Sequence, residues 1–491
     1  MLGSMSRRIR KNLPPRAPIE SGLPAQGPVP PGGLGAAVRR EVERQAAEHA
    51  PKMGLGRREF LQGPCGVAAA LLALNALSGC RAYKVDKAAV KDVDAARAAL
   101  AGNEFILDAQ THHLDATRDA VWPRNNPFYA SMFERINDTR DCGTKERFGC
   151  LSREAYVDAL FNRSDTAMAV LCGIPAVFGK NPLDNDELLA TRDEVNKRLG
   201  GRRVLATALV MPNGGPRELE GMLELAEKKV AGWNVYSGFG PRGYGWFLDD
   251  PNIGTPFLEQ VRKTKIPRVF CAKGLSWPNF DTEFITPKDV GPAAKAFGDV
   301  QFIIYHSGYD KEVTEGPYDP VTSPQTADQG VNRLIKSLEE NGLWPDQNVY
   351  AELGGTWSVL MGKPVEAAHV IGKLLKHVGV NRVLWGTDAV FAGPPQPQIE
   401  AFRAFQIPEE LQEKHGYPAL TPELKARILG LNAAALLGVE PGSVRQQPGA
   451  RDKAGNDKGG KRTELGPENA PGGRTRRELL LPWEGSGRRA G

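Results

Sequence analysis

The chain has 491 residues, 41% of them hydrophobic and 25% charged, which suits a soluble globular protein of one large domain or two to three smaller ones. Its formal charge of +5 sits at the ends: residues 1–52 hold nine Lys/Arg against four Asp/Glu, and residues 441–491 hold eleven against six, leaving 53–440 at about −5. This excludes a nucleic-acid-binding fold, which gathers positive charge on one folded face, and six cysteines without a CxxC pair exclude a zinc ribbon.

The leader, 1–52, is rich in Pro, Gly and Arg and is predicted to be disordered. The segment 53–80 contains "GRREFLQGPCGVAAALLALNALSGC", in which Arg57-Arg58 precede an apolar stretch too short to span a bilayer as a stable helix. It resembles a twin-arginine export signal. Its end, Leu77-Ser78-Gly79-Cys80, resembles a lipobox, which implies a membrane tether through a lipidated Cys80. The expected location is therefore outside the cytoplasm of a bacterium, periplasmic or membrane-anchored. A buried helix is the competing reading, against which the apolar residues run continuously rather than at helical spacing. Export signals start near the N-terminus, so Met53 is a second candidate start.

From residue 103 onward, short apolar runs alternate with 3.6-residue periodicity. Strands are predicted at 104–111, 167–174, 203–211, 231–237, 267–273, 300–306, 348–353 and 382–388. Helices are predicted among others at 185–199, 217–229, 329–342 and 364–379, with a closing helix at 421–438. Eight apolar strands, each followed by a helix, predict an α/β fold, a (β/α)8 TIM barrel over 103–440. A doubly wound open sheet commonly uses fewer strands. Residues 441–491 are predicted to be a disordered tail. The long segment 115–152 follows strand one; its Trp122, Phe128, Tyr129 and Phe133 suit either a lid or an oligomer contact, and its Cys142 and Cys150 would pair in an oxidising compartment. "GFGPRG" (238–243) matches GxGxxG but opens no helix, so it reads as a loop over the barrel mouth rather than a dinucleotide site.

Barrel chemistry sits at the C-terminal strand ends. Strand one ends in Gln110, His112 and His113, strand five in Lys273, strand six in His306, strand seven in Glu352 and strand eight in Asp388. Imidazoles and carboxylates arriving from separate strands are what a divalent metal needs. The other histidines, His49, His369, His377 and His415, fall in the leader, on helices or in a loop.

The motifs "LDAQTHH", "IIYHSGYD" and "VLWGTDAVF", in this order around the barrel, resemble the amidohydrolase superfamily, in the amidohydrolase-related branch that includes aminocarboxymuconate-semialdehyde decarboxylase. "GPYD" (316–319) and "AFRAFQI" (401–407) are similar to an exported subgroup of that branch. The resemblance implies a divalent metal, zinc first and manganese second, on His112 and Asp388, with Gln110 in the place of the first histidine of HxH. Asp388 would also accept a proton, and His306 would orient or polarise substrate or metal-bound water and stabilise developing charge. The family's strand-five histidine is Ala272 here and strand four carries Asn234. His113, Lys273 and Glu352 are then the candidate substitutes, although His113 follows His112 directly and on a strand points to the other face. The implied activity is hydrolysis of an amide, ester or lactone bond, or non-oxidative decarboxylation, of a small organic molecule by a homodimer. The alternative is a lipid-tethered binding protein on a scaffold that has lost catalysis.

Overall fold

The structure, a computed structural model, describes residues 33–115, 133, 136, 146, 148–176, 181–241, 244–276 and 280–444. Eight strands form the centre: β1 Leu107–Thr111, β2 Met168–Leu171, β3 Val204–Ala206 resuming after Thr207 as Ala208–Leu209, β4 Trp233–Tyr236, β5 Arg268–Ala272, β6 Gln301–Tyr305, β7 Val349–Glu352 and β8 Val383–Leu384. Consecutive strands pair in parallel. The ring closes where the chain beyond β8 meets β1: Ala109 N donates to Trp385 O, Asp388 N to Gln110 O and His112 N to Ala389 O. This is the expected (β/α)8 barrel, and each strand falls inside its predicted run.

The strands read as continuously apolar because both faces are covered. Val269 and Cys271 of β5 and Phe302 and Ile304 of β6 lie in the layer under the helices. Their neighbours Phe270, Ala272, Ile303 and Tyr305 fill the interior with Leu107, Ala109, Met168 and Val170. The helix Asn185–Leu199 shows why the helix limits were legible. Asp184 caps its start by accepting from Glu187 N, and Gly200, in the left-handed region, ends it. The 217–229 run instead divides at Gly221 into Pro216–Glu220 and Met222–Glu227.

Ahead of the barrel, the leader ends in helix α1, Leu34–His49. Pro and Gly dominate the sequence before it, but Val38, Val42 and Ala46 recur at i+4 and bury one stripe. The signal-like segment forms α2, Arg57–Gln62, and α3, Pro64–Ser78. Helix α3 packs against α1 and against the barrel helices Pro364–His377 and Pro395–Ala404. Its apolar residues lack helical spacing because Cys65 through Leu71 are all buried, as befits a helix covered on several sides. Beyond it, Asn75 donates to Tyr83 O and accepts from Tyr83 N, while the Tyr83 hydroxyl donates to Met361 O at 2.6 Å. Cys80 is buried. Among the described residues no helix is long and apolar enough to cross a membrane.

Cys150 is disulfide-bonded. Cys142, its expected partner, lies outside the described residues, as do Trp122, Phe128 and Tyr129 of the expected lid or oligomer contact, Arg242 and Gly243 of the mouth loop, residues 1–32 of the leader and 445–491 of the tail.

If α3 is a layer of the fold, Leu71→Ala in the full chain will lower stability by about 2–5 kcal/mol, the cost of truncating a fully buried leucine. Denaturant unfolding measures this, and an unchanged midpoint would show α3 to be undocked in solution.

Candidate active site

The pairing of β1 with β2 shifts register between Asp108 and Thr111, and such irregularities re-aim side chains. Leu107 and Ala109 stay in the interior cluster, while Gln110 and His112 turn into a small cavity at the C-terminal end of the barrel. His306 and Asp388 line the same cavity, with Ile174, Pro175, Tyr236, Phe280 and Phe391. Three chain segments thus deliver two imidazoles and a carboxylate to one place. His306 has φ +64° and Asp388 φ +56°. Left-handed backbone is costly for residues with a Cβ and gathers at functional sites.

Hydrogen bonds define what each imidazole presents. His112 Nδ1 lies 2.8 Å from Cys172 O and His306 Nδ1 lies 2.7 Å from Gly354 O. A carbonyl only accepts, so both Nδ1 atoms carry the hydrogen and both Nε2 atoms are bare. Burial keeps the rings neutral, pushing His112 down to about 3 and His306 to about 4. His112 Nε2 faces Asp388 Oδ1 at 3.4 Å. His306 Nε2 is met by Gln110 Nε2 at 3.5 Å, so the Gln110 amide presents its donor there, and its Oε1 is buried without a hydrogen-bond partner. Phe391 stacks on His112, and Phe133, the one described residue of the expected aromatic lid, stacks on Phe391.

The substitute residues are engaged elsewhere. His113 points away from the cavity, as strand alternation predicts: its Nε2 is 3.0 Å from Thr191 Oγ1 and its ring packs on Tyr156. Lys273, fully buried, donates to Asp289 Oδ2 at 2.6 Å and to Phe284 O at 2.8 Å, an ion pair that holds the β5 loop. Neither reaches the cavity, which corrects their candidacy as ligands. Glu352 lies behind the site, accepting from His306 N and Gly354 N. Its Oε1 occupies space that a Cβ on Gly386 would invade at 1.6 Å, so glycine there is what lets the carboxyl in. Burial drives the Glu352 carboxyl well above its ordinary range.

The donor set suits a divalent cation at the His112–Asp388 pair. The separation is that of two ligands on one ion with bonds of about 2.1 Å, and a metal-binding imidazole characteristically donates its other N–H to a carbonyl. The fit is to an open site. Among the described residues no third His, Cys, Asp or Glu completes a cage, and Gln110, which lines the same cavity, brings a neutral amide in place of a charged or imidazole ligand. His306, by contrast, shares its free nitrogen with Gln110.

Reading polar strand ends missed the cavity's apolar wall. Ile174 and Tyr236 stand at the ends of β2 and β4 and were accessible to the same argument. Phe391 follows Asp388 by three residues. Phe280 lies in the loop after β5 and carried no signal; it packs edge-on against Tyr236 and against Phe239 of the mouth loop.

An uncharacterized TIM-barrel protein from Bordetella bronchiseptica is similar over 68% of this chain and 98% of its own, at 15% identity and a TM-score of 0.45. An amidohydrolase from Mycobacterium avium subsp. paratuberculosis K-10 is similar over 70% and 100%, at 14% identity and a TM-score of 0.38. No curated protein matches the sequence. Residues 183–439, more than half of the chain, match the family described as amidohydrolase. The chain belongs to the amidohydrolase family.

Proposed function

We propose that the protein is a metal-dependent hydrolase of small organic molecules, cleaving an amide, ester or lactone bond. The observation that carries this reading is the meeting of His112 Nε2 and Asp388 Oδ1 at 3.4 Å in a cavity shared with His306. A divalent cation, zinc or manganese, would be held by His112 and Asp388, and when bound it lowers the pKa of water and polarises a carbonyl. Asp388 receives the proton of the attacking water. Neutral His306 has one acceptor, Nε2, and orients that water when the water takes the place of the 3.5 Å contact from Gln110 Nε2. The resemblance gave His306 the task of stabilising developing negative charge, but in this tautomer it has no hydrogen to offer. The Gln110 amide N–H group is the donor the chain itself places beside it. Phe280, Phe391 and Tyr236 form an apolar wall that limits water around the reacting group.

The same reading places the protein outside the bacterial cytoplasm, exported by the Arg57-Arg58 segment and tethered through Cys80, and acting as a homodimer. The sequence motif supports export; Cys80 and α3 are buried in the folded chain, so lipidation at Cys80 requires α3 to leave the barrel. Non-oxidative decarboxylation remains the second reaction open to this acceptor set, and a binding role for a scaffold without catalysis is the other reading that Gln110 favours.

Full-length protein is expected to take up one equivalent of Mn(II) or Zn(II), and the His112→Ala/Asp388→Ala pair to lose it, as read by metal analysis after dialysis. Retained metal in the double variant would overturn the assignment. Gln110→His supplies a second imidazole and is expected to tighten metal binding by at least tenfold. In a panel of esters, lactones, amides and carboxylates assayed at saturating metal, Asp388→Asn is expected to lower kcat by about 10²–10⁴, because it removes the proton acceptor and the negative charge of one metal ligand.

A further inference from the structure

Asp108 is fully buried and does not line the cavity. Its Oδ1 accepts from Thr387 N at 3.0 Å and from Gln110 N at 3.3 Å, and its Oδ2 accepts from the Thr387 hydroxyl. That hydroxyl in turn accepts from Ala389 N at 3.1 Å. Asp388 stands between these two anchored residues in the left-handed region, with its own N–H on Gln110 O at 3.0 Å. A residue in that conformation persists only where its surroundings over-determine it, and here Asp108 acts on both sides of it, directly on residue 387 and through one hydroxyl on residue 389.

We infer that Asp108 is the positioning residue that, through Thr387, aims the Asp388 carboxylate at His112. The same carboxylate fixes the Gln110 N–H, so one buried acid sets the aim of two cavity residues on opposite sides of the barrel seam. This rests on the reading of Asp388 and His112 as the working pair. Asp108 touches neither substrate nor reacting atoms; its effect is entirely on geometry.

The test uses the full-length protein and Thr387→Val, which keeps the shape of the side chain and removes the hydroxyl, with Thr387→Ser as the conservative variant. Imidazole ¹⁵N resonances of His112 report the carboxylate 3.4 Å away, and those of His113, packed against Tyr156, serve as an internal control. Thr387→Val is expected to move the His112 resonances toward those of Asp388→Asn, to leave His113 in place and to weaken Mn(II) binding by about 10–100-fold. Thr387→Ser is expected to restore both readouts, and Asp108→Asn to give a smaller shift in the direction of Thr387→Val. Wild-type His112 resonances in Thr387→Val would overturn the inference. A shift of His112 and His113 together with a fall in thermal midpoint would overturn it as well, by showing a general structural role. Wild-type protein that binds no Mn(II) defeats the proposed function and leaves the ¹⁵N comparison to decide the role of Asp108.

Discussion

The seam between the first and last strands is the constraint on which the molecule depends. Main-chain hydrogen bonds from Ala109, His112 and Asp388 close the barrel there, with Asp108 and Thr387 bonded across it. The same residues hold the working groups: His112 stands on one side of the seam and Asp388 on the other. Barrel closure and site assembly are therefore one event, and the register slip after Asp108 that spoils the regular pairing of β1 is also what turns Gln110 and His112 into the cavity.

A second constraint is electrical. Burial keeps both imidazoles neutral and two main-chain carbonyls decide which nitrogen carries the hydrogen. The cavity thus presents acceptor nitrogens, that of His306 already met by the Gln110 amide, and a carboxylate, an arrangement that receives cations, O–H or N–H groups. Donors on the protein side are scarce among the described residues, the Gln110 amide being the one placed at His306. Chemistry that builds negative charge on substrate must draw its compensation from a cation or from that amide, which is why the identity of residue 110 carries more weight than a single substitution in a ligand pair ordinarily would.

Much of this was legible in the sequence because barrel strands are buried on both faces and announce themselves as apolar runs, and because chemistry in this fold is confined to strand ends. His112, His306 and Asp388 follow from those two facts. The remainder depended on three-dimensional partners that spacing does not reveal. Lys273 read as a candidate ligand until Asp289, sixteen residues on, was seen to hold it. Glu352 read as a site residue but braces the backbone of His306 from behind. Phe280 comes from an irregular loop with no periodicity to mark it. The signal-like stretch was ambiguous on physical grounds: a short, uniformly apolar helix satisfies an export receptor and a protein interior equally well.

That ambiguity has a thermodynamic consequence for α3. Docked on the barrel, its apolar face is unavailable to any other partner, so on the proposed export route an export machine and the folded domain would compete for one surface. The docking equilibrium would then set the fraction of molecules that display the segment, with every 1.4 kcal/mol of docking free energy reducing that fraction about tenfold once docking dominates. If the proposed export holds, a stronger contact of α3 with the barrel would retain the protein where it was made and a looser one would release it, with the cavity left untouched.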